Sequence, residues 1–233
     1  MNINKHKYFM LQILKDIFSD MELSNSLGFK GGTALMFFHD LPRFSVDLDF
    51  DLLVPDKEEI IYHKLRTILL KYGNIDDEAQ KFFGLILVLD YSKGERKLKI
   101  EVSKRSFDNH YELLSFNGIN MRVLSVSDMF AHKLCAMLDR SEIANRDIFD
   151  CWFFLEKRTA INKNIVESRM NISLEEYIEK CIVYLEKMPN KSLLNGMGEL
   201  MDDNMKTFVR NKLKTELITL LKFFQKFPII VDK

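Results

Sequence analysis

Glycine and proline are scarce in this chain, at 9 and 4 of 233 residues. Folds made of many short strands need frequent turn formers, so this poverty argues against an all-β architecture and for a largely helical one. Cysteine is scarce as well. Cys135, Cys151 and Cys181 are odd in number, far apart and set among apolar residues. That pattern excludes a disulfide scaffold and indicates buried free thiols in a reducing cytoplasm. Neither sign of charge is in excess, with Lys+Arg and Asp+Glu equal at 34. A globally basic nucleic-acid binder is thereby excluded, while a local basic patch is not. No apolar run reaches the roughly 18 residues of a membrane span, and the N-terminus shows no signal-peptide core. The expectation is a soluble, cytoplasmic protein with no membrane partner.

What is present is a substantial core. The chain is 47% hydrophobic and carries 19 phenylalanines, enough for one large domain or two modest ones. Helical spacing of Phe9, Met10, Ile13, Leu14, Ile17 and Phe18 predicts an N-terminal amphipathic helix over 7–19. A short strand, Leu27-Gly28-Phe29-Lys30, leads into Gly31-Gly32, a helix follows over 33–39, and Leu41-Pro42-Arg43 breaks it. Residues 46–54 alternate as a strand, with Asp47, Asp49 and Asp51 on one face. A helix over 57–72 and strands over 83–91 and 97–103 complete this half, with Ser92-Lys93-Gly94-Glu95 as a hairpin turn. Beyond it, helices are predicted over 128–138, 145–156, 174–187 and 204–224. The fold class is α/β (α+β): an α/β domain with a small mixed sheet over 1–122, and a helical domain over 123–233.

Two features carry chemistry. A glycine pair opening a helix lets backbone approach a phosphate, which the free N–H groups and dipole of the helix then favour. Taken alone, such a turn is ordinary loop chemistry. Aspartates at i and i+2 on a strand project together, roughly 6–7 Å apart. A sheet seldom places like charges side by side without solvent or a cation to relieve them. Leu48, Phe50, Leu52 and Leu53 make this strand a core element. Two carboxylates and a phosphate around a hard divalent cation are the arrangement that phosphoryl transfer uses.

Together, Gly31-Gly32 and the later Asp47-Leu48-Asp49 resemble the signature of the polymerase-β-like nucleotidyltransferase superfamily. Lys30-Gly31-Gly32-Thr33-Ala34-Leu35 and Arg43-Phe44-Ser45-Val46-Asp47-Leu48-Asp49-Phe50 are similar to the first motif pair of the AbiEii/AbiGii toxin nucleotidyltransferases. Ala131-His132-Lys133-Leu134 through Asp139-Arg140, then Arg146-Asp147-Ile148-Phe149-Asp150, resemble that family's later motifs: a helix with an essential lysine, and a helix with an R-D-x-x-D core. The resemblance spans about residues 28–156. Gly-Gly stands where much of the superfamily has Gly-Ser, so Thr33 is expected to supply the hydroxyl. Glu101 stands where a third acidic ligand is commonly Asp.

The resemblance implies Mg²⁺ (or Mn²⁺) held by Asp47 and Asp49 with Glu101, and NTP phosphates cradled by Lys30, Gly31, Gly32 and Thr33 with Arg43, Ser45 and Arg140 nearby. Lys133 would be the point charge on the triphosphate. Asp147 and Asp150 share a helix face at i and i+3. They could steady Lys133 or Arg140, contact the nucleotide, or act as a general base. The implied reaction transfers NMP from NTP to an acceptor hydroxyl, with a tRNA end as the acceptor and an antitoxin encoded alongside. Lys206, Arg210, Lys212, Lys214, Lys222 and Lys226 make the last helix basic, either a solvated face or a surface for such an acceptor. Two other readings stay open: a small-molecule, antibiotic-type nucleotidyltransferase, and a non-catalytic interaction protein that kept the fold.

Overall fold

The computed structural model describes residues 1–139, 144–189 and 193–231. The chain divides into two compact units: Met1–Asp40 with Phe44–Leu124, and Leu41–Arg43 with the chain from Ser125 onward.

The first unit begins with α1 (Ile3–Ser19) and α2 (Met21–Ser26). Asn2 caps α1 by accepting from the Lys5 N–H, and Asp20 caps α2 by accepting from the Glu22 and Leu23 N–H groups. Strand β1 (Leu27–Lys30) runs directly into α3 (Gly31–Phe38). Then come β2 (Leu48–Leu52), α4 (Glu58–Leu69), β3 (Asn74–Lys81), β4 (Gly84–Asp90), β5 (Leu98–Ser103), β6 (Tyr111–Phe116) and β7 (Ile119–Leu124). These strands form one mixed sheet in the order β3-β4-β5-β2-β1-β7-β6. Strand β2 lies between β5, which it pairs in parallel, and β1, which it pairs antiparallel.

Alternation along the strands sorts the two faces. Phe29 of β1, Leu48 and Phe50 of β2, Leu87 and Leu89 of β4 and Ile100 and Val102 of β5 are buried on one face. Helix α1 contributes Met10, Ile13, Leu14 and Ile17 to the same core. The opposite face of the central strands carries Lys30, Asp49 and Glu101, which face one another across the ladder as Lys30↔Asp49 and Asp49↔Glu101.

The second unit holds α5 (Val126–Asp139), α6 (Asn145–Glu156), β8 (Ile161–Asn162), α7 (Lys163–Met170), α8 (Leu174–Lys187), α9 (Asp203–Asn211), α10 (Leu213–Lys226) and β9 (Ile230–Val231). Phe130 of α5 stacks on Phe154 of α6 at 4.9 Å between centroids. The Tyr177 hydroxyl donates to the Leu134 and Cys135 carbonyls. The three cysteines are buried free thiols; burial pushes the Cys135 and Cys181 thiols up to about 12. No helix among the described residues is long and apolar enough to cross a membrane.

Three differences from the sequence reading have physical causes. The strand expected over 46–54 pairs only from Leu48 to Leu52, so Asp47 sits just before it. The helix expected over 204–224 is two helices, broken at Lys212, whose backbone leaves the helical region. Strand β3 is polar almost throughout, exposed at the sheet edge, and gives no apolar alternation to detect.

Candidate active site

The turn from β1 into α3 is made at Gly31, whose φ of +79° lies in the left-handed region. A Cβ there would collide with Asp49 Oδ2 and Cβ, so the glycine brings the helix entrance directly against the Asp49 side chain. No side chain caps α3, which leaves the N–H groups of its first turn to other acceptors. Gly32 and Thr33 are buried in that turn. The Thr33 hydroxyl donates to the Asp47 carbonyl at 2.5 Å. Thr33 thus fixes the backbone that presents Asp47, and its hydroxyl is directed at protein.

Asp47 is held from the other side as well. His6 of α1 is fully buried, with Nε2 donating to the Val46 carbonyl at 2.9 Å. Nδ1 is therefore the acceptor for the Tyr91 hydroxyl at 2.7 Å. Burial lowers the pKa of this imidazole, in keeping with the neutral tautomer. Ser45 is buried two residues before Asp47.

On the sheet, Asp49 is partly buried beside Asp47 and Glu101. Desolvation first, then the Asp47 charge, pushes its carboxyl above the usual range; Glu101 adds to this, and Lys99 and Lys30 oppose it. Glu101 is turned toward Lys99, whose ammonium lies 2.8 Å from Glu101 Oε2 and 4.0 Å from Asp47 Oδ2. The third acid of β2, Asp51, is buried and engaged: Lys30 reaches it at 2.5 Å, the Tyr111 hydroxyl donates at 2.7 Å and Asn109 at 3.2 Å. The ring of Tyr111 needs Gly28, where a Cβ would strike it. Lys30, which pairs with Asp49 across the ladder, is therefore anchored to Asp51, two residues further along β2.

The donor set bears on whether a divalent cation fits. Among the described residues no three His, Cys, Asp or Glu side chains converge as a complete ligand group. Mg²⁺ is commonly held by one or two carboxylates and completes its shell with water and substrate phosphate. Two aspartates against an uncapped glycine turn fit an ion that arrives with a nucleotide.

The helical unit builds a different cluster. Arg43 is 4% exposed and grips Asp150 in bidentate fashion, Nε to Oδ1 at 2.7 Å and a terminal nitrogen to Oδ2 at 2.6 Å. Lys133 of α5 reaches Asp150 Oδ2 at 2.7 Å and Asp147 Oδ1 at 2.8 Å. Both aspartates, one turn apart on α6, are fully buried. Burial would raise the Asp150 carboxyl, but Arg43 and Lys133 outweigh it and hold it below the usual range. Lys133 is likewise raised against its own burial by Asp147 and Asp150. Of the three roles open for the pair, this burial favours steadying Lys133 over general-base work, which needs access to solvent or substrate. Arg43, expected to meet phosphate from a loop, is a buried partner of Asp150. Arg140 lies outside the described residues.

Lys99, His6 and the Asp51–Tyr111–Asn109 set were not singled out from sequence. Lys99 shares a strand face with Glu101 by simple alternation, but only the parallel β2–β5 register brings it to Asp47. Nothing near His6 or Tyr111 in sequence marks either residue.

The fold recurs in two solved structures from Helicobacter pylori. A crystal structure of JHP933 matches with a TM-score of 0.63 at 20% identity, covering 96% of this chain and 92% of that one. A putative nucleotidyltransferase matches with a TM-score of 0.64 at 20% identity, covering 95% and 94%. No curated protein matches the chain. The sequence matches the family described as nucleotidyl transferase AbiEii toxin, Type IV TA system, over residues 12–211. That match takes in the glycine turn, the aspartate pair and both helices of the Lys133 cluster: the chain belongs to the AbiEii nucleotidyltransferase family.

Proposed function

We propose that the protein transfers NMP from a Mg²⁺-bound NTP to the terminal hydroxyl of a tRNA, as the toxin of a Type IV toxin–antitoxin pair. The observation that carries the reading is the contact between Gly31 and Asp49: an uncapped helix entrance, suited to phosphate, abuts a pair of aspartates suited to its cation. Asp47 and Asp49 would hold the metal, which when bound would supply charge neutralisation at the α-phosphate and the leaving group. Glu101, which contacts Lys99, would be the third acidic residue available to it.

In this scheme the N–H groups of the first α3 turn bind phosphate oxygens, Lys30 adds positive charge beside them, and Thr33 and His6 hold the backbone on either side of Asp47. The acceptor oxygen bonds to the α-phosphorus as the bond to the bridging oxygen breaks, pyrophosphate departs, and the hydroxyl proton is released to solvent. Lys133 takes the family role of a point charge on the triphosphate, with Asp147 and Asp150 fixing its ammonium. Membership of a Type IV family supports a cognate antitoxin as the partner.

The test is incubation of the protein with Mg²⁺, each α-labelled NTP in turn and total tRNA. Label in tRNA, lost in Asp47→Ala and Lys133→Ala, is the expected result. Label in a small molecule instead would replace the acceptor, and no transfer of any label would remove the enzymatic reading of this site.

A further inference from the structure

We propose that Lys99 is the resident counter-cation of the acidic face, and that a divalent cation reaches Asp47 and Asp49 only by displacing it; this rests on the metal role proposed for those two aspartates. The argument begins with register. Strand β5 alternates, so Lys99 and Glu101 emerge on one face while Leu98, Ile100 and Val102 enter the core. Parallel pairing sets Leu48 against Ile100 and Asp49 against Glu101. Lys99 is thereby level with the entry to β2, where Asp47 stands.

The ammonium uses that position. It contacts Glu101 Oε2 at 2.8 Å and lies 4.0 Å from Asp47 Oδ2, on the face that Asp49 shares with Glu101. An ammonium is a compact, strongly hydrated point charge on a flexible stem, and it seeks the same carboxylate oxygens as a hard divalent ion. Both cannot hold them at once. Two other lysines of these strands have their own partners: Lys30 is bound to Asp51 and Lys97 to Asp76, each at 2.5 Å. Lys99 has the freedom to leave, because its side chain is 32% exposed and Glu101 is 42% exposed.

Two consequences follow. Without nucleotide, Lys99 screens the acidic face and metal binds weakly. When metal arrives with a triphosphate, the displaced ammonium finds phosphate oxygens as its new partners, so metal and nucleotide enter together.

The experiment is Mn²⁺ binding, followed by electron paramagnetic resonance without nucleotide, on the wild-type protein and on Lys99→Met, Lys99→Gln, Lys99→Arg and Asp49→Asn. Removing the charge in Lys99→Met and Lys99→Gln is expected to tighten Mn²⁺ binding on the order of tenfold. Lys99→Arg keeps the weaker wild-type affinity, and Asp49→Asn loses binding. Unchanged or weaker binding in both neutral variants, with wild-type binding intact, would overturn the role of Lys99 and leave the metal site standing. Absence of Mn²⁺ binding in the wild type and both neutral variants would remove the metal site itself, and the proposal with it.

Discussion

Asp49 is partly buried and Asp150 fully buried, yet their carboxyls shift in the order opposite to what burial alone would give. Asp49, on the sheet of the α/β unit, is pushed up by burial and by the charges of Asp47 and Glu101, against which Lys99 and Lys30 are insufficient. Asp150, in the helical unit, is held down because Arg43 and Lys133 overcome its burial. The Asp150 cluster satisfies its charge from within, as a buried ion network must. The Asp49 cluster does not, and a carboxylate that its own protein leaves under-neutralised is where an external cation gains most. Under the proposed function, the difference is that between a site for an external cation and a cluster that positions a lysine.

Breaking the aspartate pair should give the largest effect. Asp47→Ala or Asp49→Ala is expected to lower nucleotide transfer by about three orders of magnitude, or ~4 kcal/mol of barrier. In Asp49→Ala the melting temperature should hold or rise, since like-charge repulsion is relieved. A large fall in melting temperature would show Asp49 to be structural.

The Arg43–Asp150 pair should behave in the reverse way. Arg43→Met or Asp150→Ala strands a buried charge and should destabilise the protein by about 3–5 kcal/mol, read from urea unfolding. A loss under ~1 kcal/mol, as for exposed pairs, would contradict the buried network described above.

Gly31→Ala should cost about 1–2 kcal/mol for its left-handed backbone, and it also places a methyl group where Asp49 Oδ2 lies. Calorimetric NTP binding should weaken more than folding does; equal losses would deny the turn a role at the site.

The smallest expected effect is on pH dependence. Asp150 has a folded pKa below its unfolded value of about 3.9, so folding releases its proton. Its stabilisation is present above that unfolded value and is lost as pH falls through the lower folded one. Asp150→Asn should flatten the acid limb of stability against pH, as followed by melting temperature from pH 5 downward in roughly half-unit steps. An unchanged limb would assign acid sensitivity elsewhere.

Much of this was legible in the sequence wherever local pattern and chemistry coincide. The glycine turn, the aspartate pair and the helices over 145–156 and 174–187 announce themselves through residue type and period, and the structure gives those two helices the same ends. What was hidden depends on register and on long-range partners. Asp51 reads as a third acid on the face of Asp47 and Asp49 until Lys30, Tyr111 and Asn109 engage it. Arg43 reads as a loop cation until Asp150, distant in sequence, claims it. Strands β3 and β6 escape notice because both are largely solvent-facing and need no apolar alternation.

The most direct measurement is calorimetric titration of a non-hydrolysable α,β-methylene NTP with Mg²⁺ into the wild-type protein and Asp49→Asn, with the melting temperature of each recorded. Binding to the wild type, and its loss in an Asp49→Asn protein that melts no lower, is the result expected of an acidic face that awaits a metal-bound nucleotide. Equal affinity in the two proteins would contradict it.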